Sequence, residues 1–201
     1  MKNKRVRNMV QIGMLAAVAT VLMLFEFPLW FAPSFYELDF SEVAVLIGAF
    51  SMGPMAGVMI EALKILLNFL INGTITAGVG ELANFVIGCS LVLPAAILYQ
   101  RHKSRKTALI GMAAGTVTMT VVGSLINYFV LLPVYSAALP MPMEALIGLG
   151  TKINPAIDGL WTFVLFAVAP FNLLKGILVS LLTFFLYKYI SPILKGYAEA
   201  V

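Results

Sequence analysis

The sequence predicts an all-α integral membrane protein: a six-helix transmembrane bundle with both termini cytoplasmic, forming a single transmembrane domain over residues 1–201. Three observations carry that prediction. Apolar residues make up 61% of the chain and mean hydropathy is +0.99, whereas soluble domains are roughly half apolar. The apolar character runs almost unbroken from Val6 to Ile193. All the Lys and Arg residues except Lys64, Lys152 and Lys175 fall at the start, at Arg101 to Lys106, or at the end. The positive-inside rule asks for that pattern when two termini and one central loop face the cytoplasm. At about 20 residues per crossing the chain holds six spans and leaves no room for a separate soluble domain.

Apolar length, proline and glycine punctuation and charge placement put the helices near residues 6–27, 40–51, 54–72, 79–100, 106–132 and 170–191. The first begins with a basic segment and contains Ala17-Val18-Ala19, as a signal peptide does. Its apolar run from Met9 to Phe25 exceeds the roughly 7 to 15 residues of a signal h-region, so it reads as a retained helix. Small residues at Gly13, Ala16, Ala17, Ala19 and Thr20 allow another helix to approach closely, from within the bundle or from a second protein. The second helix is short for a crossing. It is either tilted or paired with the third across Ser51-Met52-Gly53-Pro54, where Pro54 suits the first helical position.

The third helix carries Glu61, Lys64, Asn68 and Asn72 on one face, because residues three and four apart are neighbours on a helix. Glu61 and Lys64 form a structural ion pair or an ion-coupling pair, and the second reading lacks a second acidic cluster elsewhere in the helices to complete a relay. The fourth helix opens with Gly78, Gly80, Glu81 and Asn84; the fifth carries Asn127 and Tyr128 shortly before Pro133. Each asparagine alone fits a simple bridge between helices, yet three helices offer polar groups at one depth. The last helix opens with Ala169-Pro170-Phe171-Asn172-Leu173-Leu174-Lys175-Gly176, which sets Asn172 and Lys175 one turn apart. Lys175 lies on the side that basic residues avoid; it either snorkels to the interface or meets a polar or anionic partner.

Three segments fall on the outer side: Pro28 to Phe40, Gly73 to Gly80, and a long one from Pro133 to about Ala169 interrupted by Pro140, Pro142 and Pro155. Glu26, Glu37, Asp39, Glu42, Glu81, Glu144 and Asp158 lie in or beside them. So long and aromatic an outer loop points to a lid over a pocket; Trp30, Tyr36 and Trp161 taken singly fit interfacial anchoring equally well.

Several functions are excluded. The net charge of +4 follows from topology and does not signal nucleic acid. Cys89 is the sole cysteine and His102 the sole histidine, so no intrachain disulfide, metal cluster or catalytic triad is available. No GxxxxGK[ST] phosphate loop occurs. No catalytic residue, metal ligand or cofactor is predicted.

These residues resemble a known family, the substrate-binding S components of energy-coupling factor (ECF) vitamin transporters, and within it the riboflavin-specific RibU type. The resemblance rests on the small-residue first helix, Leu38-Asp39-Phe40-Ser41-Glu42 before a short second helix, and Gly53-Pro54 with Gly57. It also rests on Asn84 in Gly80-Glu81-Leu82-Ala83-Asn84-Phe85, on Asn127-Tyr128, and on Pro170-Phe171-Asn172-Leu173-Leu174-Lys175-Gly176. It runs through essentially the whole chain; the last motif is the most specific. It implies a non-catalytic subunit in a bacterial cytoplasmic membrane that binds one riboflavin from outside under a lid. The partners it implies are a transmembrane coupling subunit and two ATPase subunits, with Gly13, Ala16, Ala17 and Thr20 facing the coupling subunit.

Isoalloxazine is flat and apolar with one polar edge, which must be hydrogen-bonded when buried. Asn172 and Lys175 suit that edge. Asp39, Asn84, Asn127 and Tyr128 are candidates for the ribityl hydroxyls, and Leu38, Phe40, Phe85 and Phe171 for ring contact. Two other readings stand beside this one: an S component for a different vitamin, and a stand-alone ion-coupled transporter using Glu61 and Lys64. The second lacks a convincing inverted repeat between the halves.

Overall fold

Ten consecutive residues, Ser41 to Phe50, are buried on every side, and the molecule is arranged around them. A helix that is apolar all round must be enclosed by others. The structure, a computed structural model, describes residues 2–138 and 142–196, with side chains over 5–138 and 142–190. The helices are α1 (Lys2–Met23), α2 (Ser41–Met52), α3 (Pro54–Asn72), α4 (Val79–Arg101), α5 (Arg105–Ile126), α6 (Leu132–Ala138), α7 (Met143–Ile153), α8 (Leu160–Phe163) and α9 (Ala169–Gly196). Helix α2 is the enclosed one, packed against α1, α3, α4 and α9. Between α1 and α2 lies a small antiparallel hairpin, β1 (Phe27–Pro28) with β2 (Glu37–Leu38), which pairs Phe27 with Leu38 and Pro28 with Glu37.

Five helical stretches are long and apolar enough to cross a membrane: Arg5–Met23, Pro54–Asn72, Val79–Arg101, Arg105–Ala138 and Leu160–Ile190. Helix α2, at 12 residues, is about 18 Å long, short of the roughly 30 Å hydrocarbon core. Five membrane-span candidates stand against the six helices predicted, with the short α2 below spanning length and α1 ending at Met23 rather than at residue 27. Large apolar side chains point away from the bundle, among them Met14, Val18, Val117, Val121 and Phe185. Such a surface belongs in lipid.

The last two predicted helices are longer than expected, and prolines explain why. Pro133 was expected to end the fifth helix and Pro170 to start the sixth, but both lie inside continuous helical stretches. A proline lacks the N–H for the usual bond to residue i−4 and its ring crowds that carbonyl. Here a π-helical turn precedes each one, Asn127–Leu131 before Pro133 and Val164–Val168 before Pro170. The wider turn takes up the misfit, and the helix continues. The outer segment expected from Pro133 to Ala169 is accordingly shorter and contains α7; Pro140 lies outside the described residues.

The tight turn between α2 and α3 forms as expected. Gly53 has φ +108°, which a side chain would strain, and its N–H caps α2 by donating to the Ala49 carbonyl at 2.9 Å. Pro54 opens α3. Two apolar clusters fill the interior. The larger joins α1, α2, α4 and α5 through Ala16, Ala19, Leu46, Ala49, Leu91, Ala95 and Met112. The smaller, at the end remote from Arg101–Lys106, joins the hairpin segment to the α7–α8 connection, α8 and α9 through Tyr36, Leu38, Ile157, Phe163 and Phe171.

Candidate functional site

At the end of the bundle remote from Arg101–Lys106, a cavity of about 260 Å³ lies among the hairpin, α2, α3, α4, α5 and α9. Each element delivers polar groups to it for a local reason. Asp39 follows β2, and its Oδ1 accepts the Ser41 N–H at 2.7 Å, an Asx turn that sets the direction of α2. Its other oxygen accepts from Lys175 Nζ at 2.7 Å, a pair 136 residues apart in sequence. Burial by itself would raise the Asp39 carboxyl, but the charges of Lys175 and Lys64 and the hydrogen bonds from Lys175 and Ser41 hold it well below the usual carboxylate range. The partner that the position of Lys175 demanded is therefore Asp39. An ammonium has three donors, so Lys175 keeps capacity for a ligand.

Asn172 donates its Nδ2 to the Val168 carbonyl at 3.0 Å, one turn back across the π turn, which leaves its side-chain carbonyl oxygen for other contacts. Asn127 is fixed at both ends: Nδ2 donates to the Gly123 carbonyl at 2.8 Å and Oδ1 accepts from the Tyr36 hydroxyl at 2.6 Å. Tyr36 stands against Phe171 with ring centroids 5.5 Å apart and against Phe35 at 4.7 Å, which builds an aromatic wall beside the amides. Glu81 accepts from Thr74 Oγ1 at 3.0 Å. Where the hairpin meets the cavity mouth, Glu26 and Glu37 stand together. Burial, then the charge of Glu37 and a hydrogen bond with it, push the Glu26 carboxyl up to about 7.

Of the predicted binding residues, Asp39, Asn84, Asn127, Phe171, Asn172 and Lys175 line this cavity. Leu38, Phe40, Phe85 and Tyr128 are not among its lining residues. Successive residues of an extended strand point to opposite faces, so Leu38 packs into the outer apolar cluster while Asp39 reaches the cavity. Phe85 and Tyr128 each follow an asparagine on a helix and are turned about 100° from it. Tyr128 packs instead against Phe129 and Trp161, and Phe40 against Phe27. Among the predicted interface residues Gly13 and Ala17 are exposed, whereas Ala16 and Thr20 are buried in the bundle.

Sequence reasoning missed Glu26, Phe35, Tyr36, Glu42, Asn68, Thr76 and Tyr135 as cavity residues. The signal for Tyr36 was present in Phe35-Tyr36-Glu37-Leu38-Asp39, which arrives at the site with Asp39. Tyr36 is buried; Trp30 and Trp161, grouped with it by sequence, are 88% and 65% exposed. Beneath the cavity, Lys64 is fully buried and donates to Glu42 Oε1 at 2.9 Å and Ser41 Oγ at 3.2 Å. Glu61 Oε1 stands 2.7 Å from the same ammonium, as an ion pair without hydrogen-bond alignment. The Lys64 ammonium therefore serves a second carboxylate besides Glu61, that of Glu42 from α2. Gly88 on α4 makes room for this cluster, since a β-carbon there would collide with the Glu61 carboxylate.

Among the described residues no group of His, Cys, Asp and Glu could hold a metal ion. The cavity lining combines amides and tyrosine hydroxyls, the Asp39–Lys175 pair, the carboxyls of Glu26, Glu37, Glu42 and Glu81, and aromatic rings.

Comparison with known proteins places the chain in a family. The family model for "ECF transporter, substrate-specific component" matches residues 7–187. The chain belongs to that family of membrane-embedded substrate-specific components. It is similar to the "Riboflavin transporter RibU" of Staphylococcus aureus (strain TCH60), 36% identical over 194 residues that cover 96% of this chain and 94% of the relative. It is likewise similar to the "Riboflavin transporter FmnP" of Bacillus subtilis (strain 168), 33% identical with 94% of each chain covered. A solved structure described as "Structure and mechanism of the S component of a bacterial ECF transporter" superimposes with a TM-score of 0.73 at 35% identity, covering 97% of this chain and 99% of the other.

Proposed function

We propose that this chain is the riboflavin-binding subunit of an ECF-type importer and takes up its ligand in the cavity lined by Asp39, Asn84, Asn127, Phe171, Asn172 and Lys175. The observation that carries the reading is the convergence of the hairpin and five helices on one cavity with a polar edge and an aromatic wall, in a chain similar over nearly its full length to riboflavin transporters. Riboflavin is neutral. Asn172 and the spare donors of Lys175 suit the carbonyl and nitrogen edge of its ring system. Tyr36 and Phe171 suit the ring face, while Asn84 and Asn127 suit the ribityl hydroxyls. Riboflavin here is cargo, and the subunit carries no cofactor and no catalytic residue of its own.

In this reading both termini and the Arg101–Lys106 loop face the cytoplasm of a bacterial cell, all six helices lie within the cytoplasmic membrane, and the hairpin covers the outer mouth. A coupling subunit meets α1 on the side of Gly13 and Ala17, and two ATPase subunits supply the energy. Ala16 and Thr20 support that face from behind. Protein purified from cells grown in rich medium is expected to show a visible flavin band, and ligand-free protein to bind added riboflavin with 1:1 stoichiometry. A colourless protein that ignores riboflavin but is thermally stabilised by another vitamin would replace the ligand and keep the family.

A further inference from the structure

A second and larger cavity, about 450 Å³, lies at the opposite end of the bundle between the start of α5 and the end of α9. The riboflavin reading does not use it. From Lys175 to Lys188 the axis of α9 advances about 20 Å, so the two cavities are separate. Its rim carries Lys103, Arg105 and Lys188, all exposed, and no acidic residue lines it. Its floor is aromatic: Tyr99 stacks near Phe50 at 4.8 Å and meets Tyr187 edge-on at 5.8 Å. The Tyr99 and Tyr187 hydroxyls are 3.2 Å apart. One proton serves that mutual bond, which leaves the other hydroxyl proton to a ligand.

We propose that this cavity binds the phosphate of an anionic phospholipid. Three cations around two tyrosine hydroxyls recognise a phosphate ester, and a basic pocket between membrane helices on the positively charged side is the setting in which acidic lipid headgroups are held. The choice of a lipid over a soluble phosphate rests on the cavity wall. Phe185 and Tyr189 line it and are 63% and 69% exposed, so the pocket opens sideways onto the surface where acyl chains lie. A headgroup in the cavity with its chains along that wall satisfies both halves of an amphiphile.

The test uses full-length protein in neutral detergent and native mass spectrometry, with dioleoyl phosphatidylglycerol, dioleoyl phosphatidylcholine and glycerol 3-phosphate as probes. Wild type is expected to retain phosphatidylglycerol at least about tenfold better than phosphatidylcholine. The variant Lys103→Gln/Arg105→Gln/Lys188→Gln should lose that preference and keep riboflavin binding, which reports its fold. The charge-conserving variant Lys103→Arg/Arg105→Lys/Lys188→Arg should keep the preference. So should Arg101→Gln/Lys106→Gln, which removes two charges from the same face outside the cavity. Equal retention of the two lipids overturns the proposal, as does preference surviving in the triple Gln variant or disappearing equally in Arg101→Gln/Lys106→Gln. Glycerol 3-phosphate binding as well as phosphatidylglycerol would make this a site for soluble phosphate esters instead.

Discussion

Two buried ion pairs, a few residues apart on α2 and its lead-in, are built from the same groups and put to different uses. The Asp39–Lys175 pair lines the cavity, with side chains 4% and 8% exposed, and the Glu42–Lys64–Glu61 cluster beneath it is buried to 1% or less and meets the cavity only through Glu42. At the first, both charges are balanced and the ammonium retains donors toward open space. At the second, the Glu42 and Glu61 carboxyls share one ammonium and meet each other in a side-chain hydrogen bond. The lower cluster locks α2 to α3, with Gly88 of α4 leaving room for it; the upper pair closes the chain from the end of its hairpin to α9 and faces the cavity. The difference teaches that burial alone does not mark a functional ionisable group. Access to a cavity does.

The largest expected effect comes from breaking the sealed cluster. Lys64→Met leaves two uncompensated carboxylates in a dry interior and should cost about 3–5 kcal/mol of stability, seen as a lower thermal midpoint in detergent. Lys64→Met combined with Glu42→Gln and Glu61→Gln should recover most of that loss. If Lys64→Met unfolds no more easily than wild type, the sealed cluster is not holding the helices.

Next in size are the cavity residues. Lys175→Met and Asn172→Ala should each weaken riboflavin binding by about 1–3 kcal/mol, a loss read by fluorescence titration, because each leaves a buried polar edge unpaired. Asp39→Asn/Lys175→Met should refold the pair without charge yet not restore affinity, which separates the ligand contact from the structural one.

The Glu26–Glu37 pair at the mouth should give a smaller, pH-dependent effect. A carboxyl raised to about 7 from an ordinary 4.5 favours the folded mouth in its protonated form, so its contribution is complete below about pH 4.5 and is lost as pH rises through about 7. Asp39 acts in the opposite sense: its lowered carboxyl stabilises above its ordinary value of 3.8 and that gain is lost on acidification. Hydrogen exchange of residues 24–38, corrected for intrinsic rates, should therefore speed up between pH 5 and pH 8. Glu26→Gln should flatten the change. The smallest expected effect on binding is that of Ala17→Leu on the exposed face of α1, which should leave riboflavin affinity unchanged and reduce co-purification with the coupling subunit.

Most of the helical layout was legible in the sequence because apolar length and basic punctuation are local signals. The third helix was placed at 54–72 and runs Pro54–Asn72; the fourth was placed at 79–100 and runs Val79–Arg101. What was not legible depended on groups meeting across the fold. Glu61 and Lys64 could be paired from their spacing, but Glu42 could join them only once α2 lay against α3. Lys175 plainly needed a partner, yet nothing local named Asp39. Leu38, Phe85 and Tyr128 stand outside the cavity lining for a simpler reason. Strand alternation and the 100° helical step send the side chains of motif neighbours in different directions.

The wide turns at Asn127–Leu131 and Val164–Val168 amount to one surplus residue spliced into each of two otherwise regular spans. A single-residue deletion in the first would swivel Leu132–Ala138, and with it Tyr135 of the cavity wall, while the deeper half of that span kept its seating. In the second, the residues that line the cavity lie on the deeper side, so the same deletion would re-aim only Leu160–Phe163 and leave Asn172 and Lys175 in place.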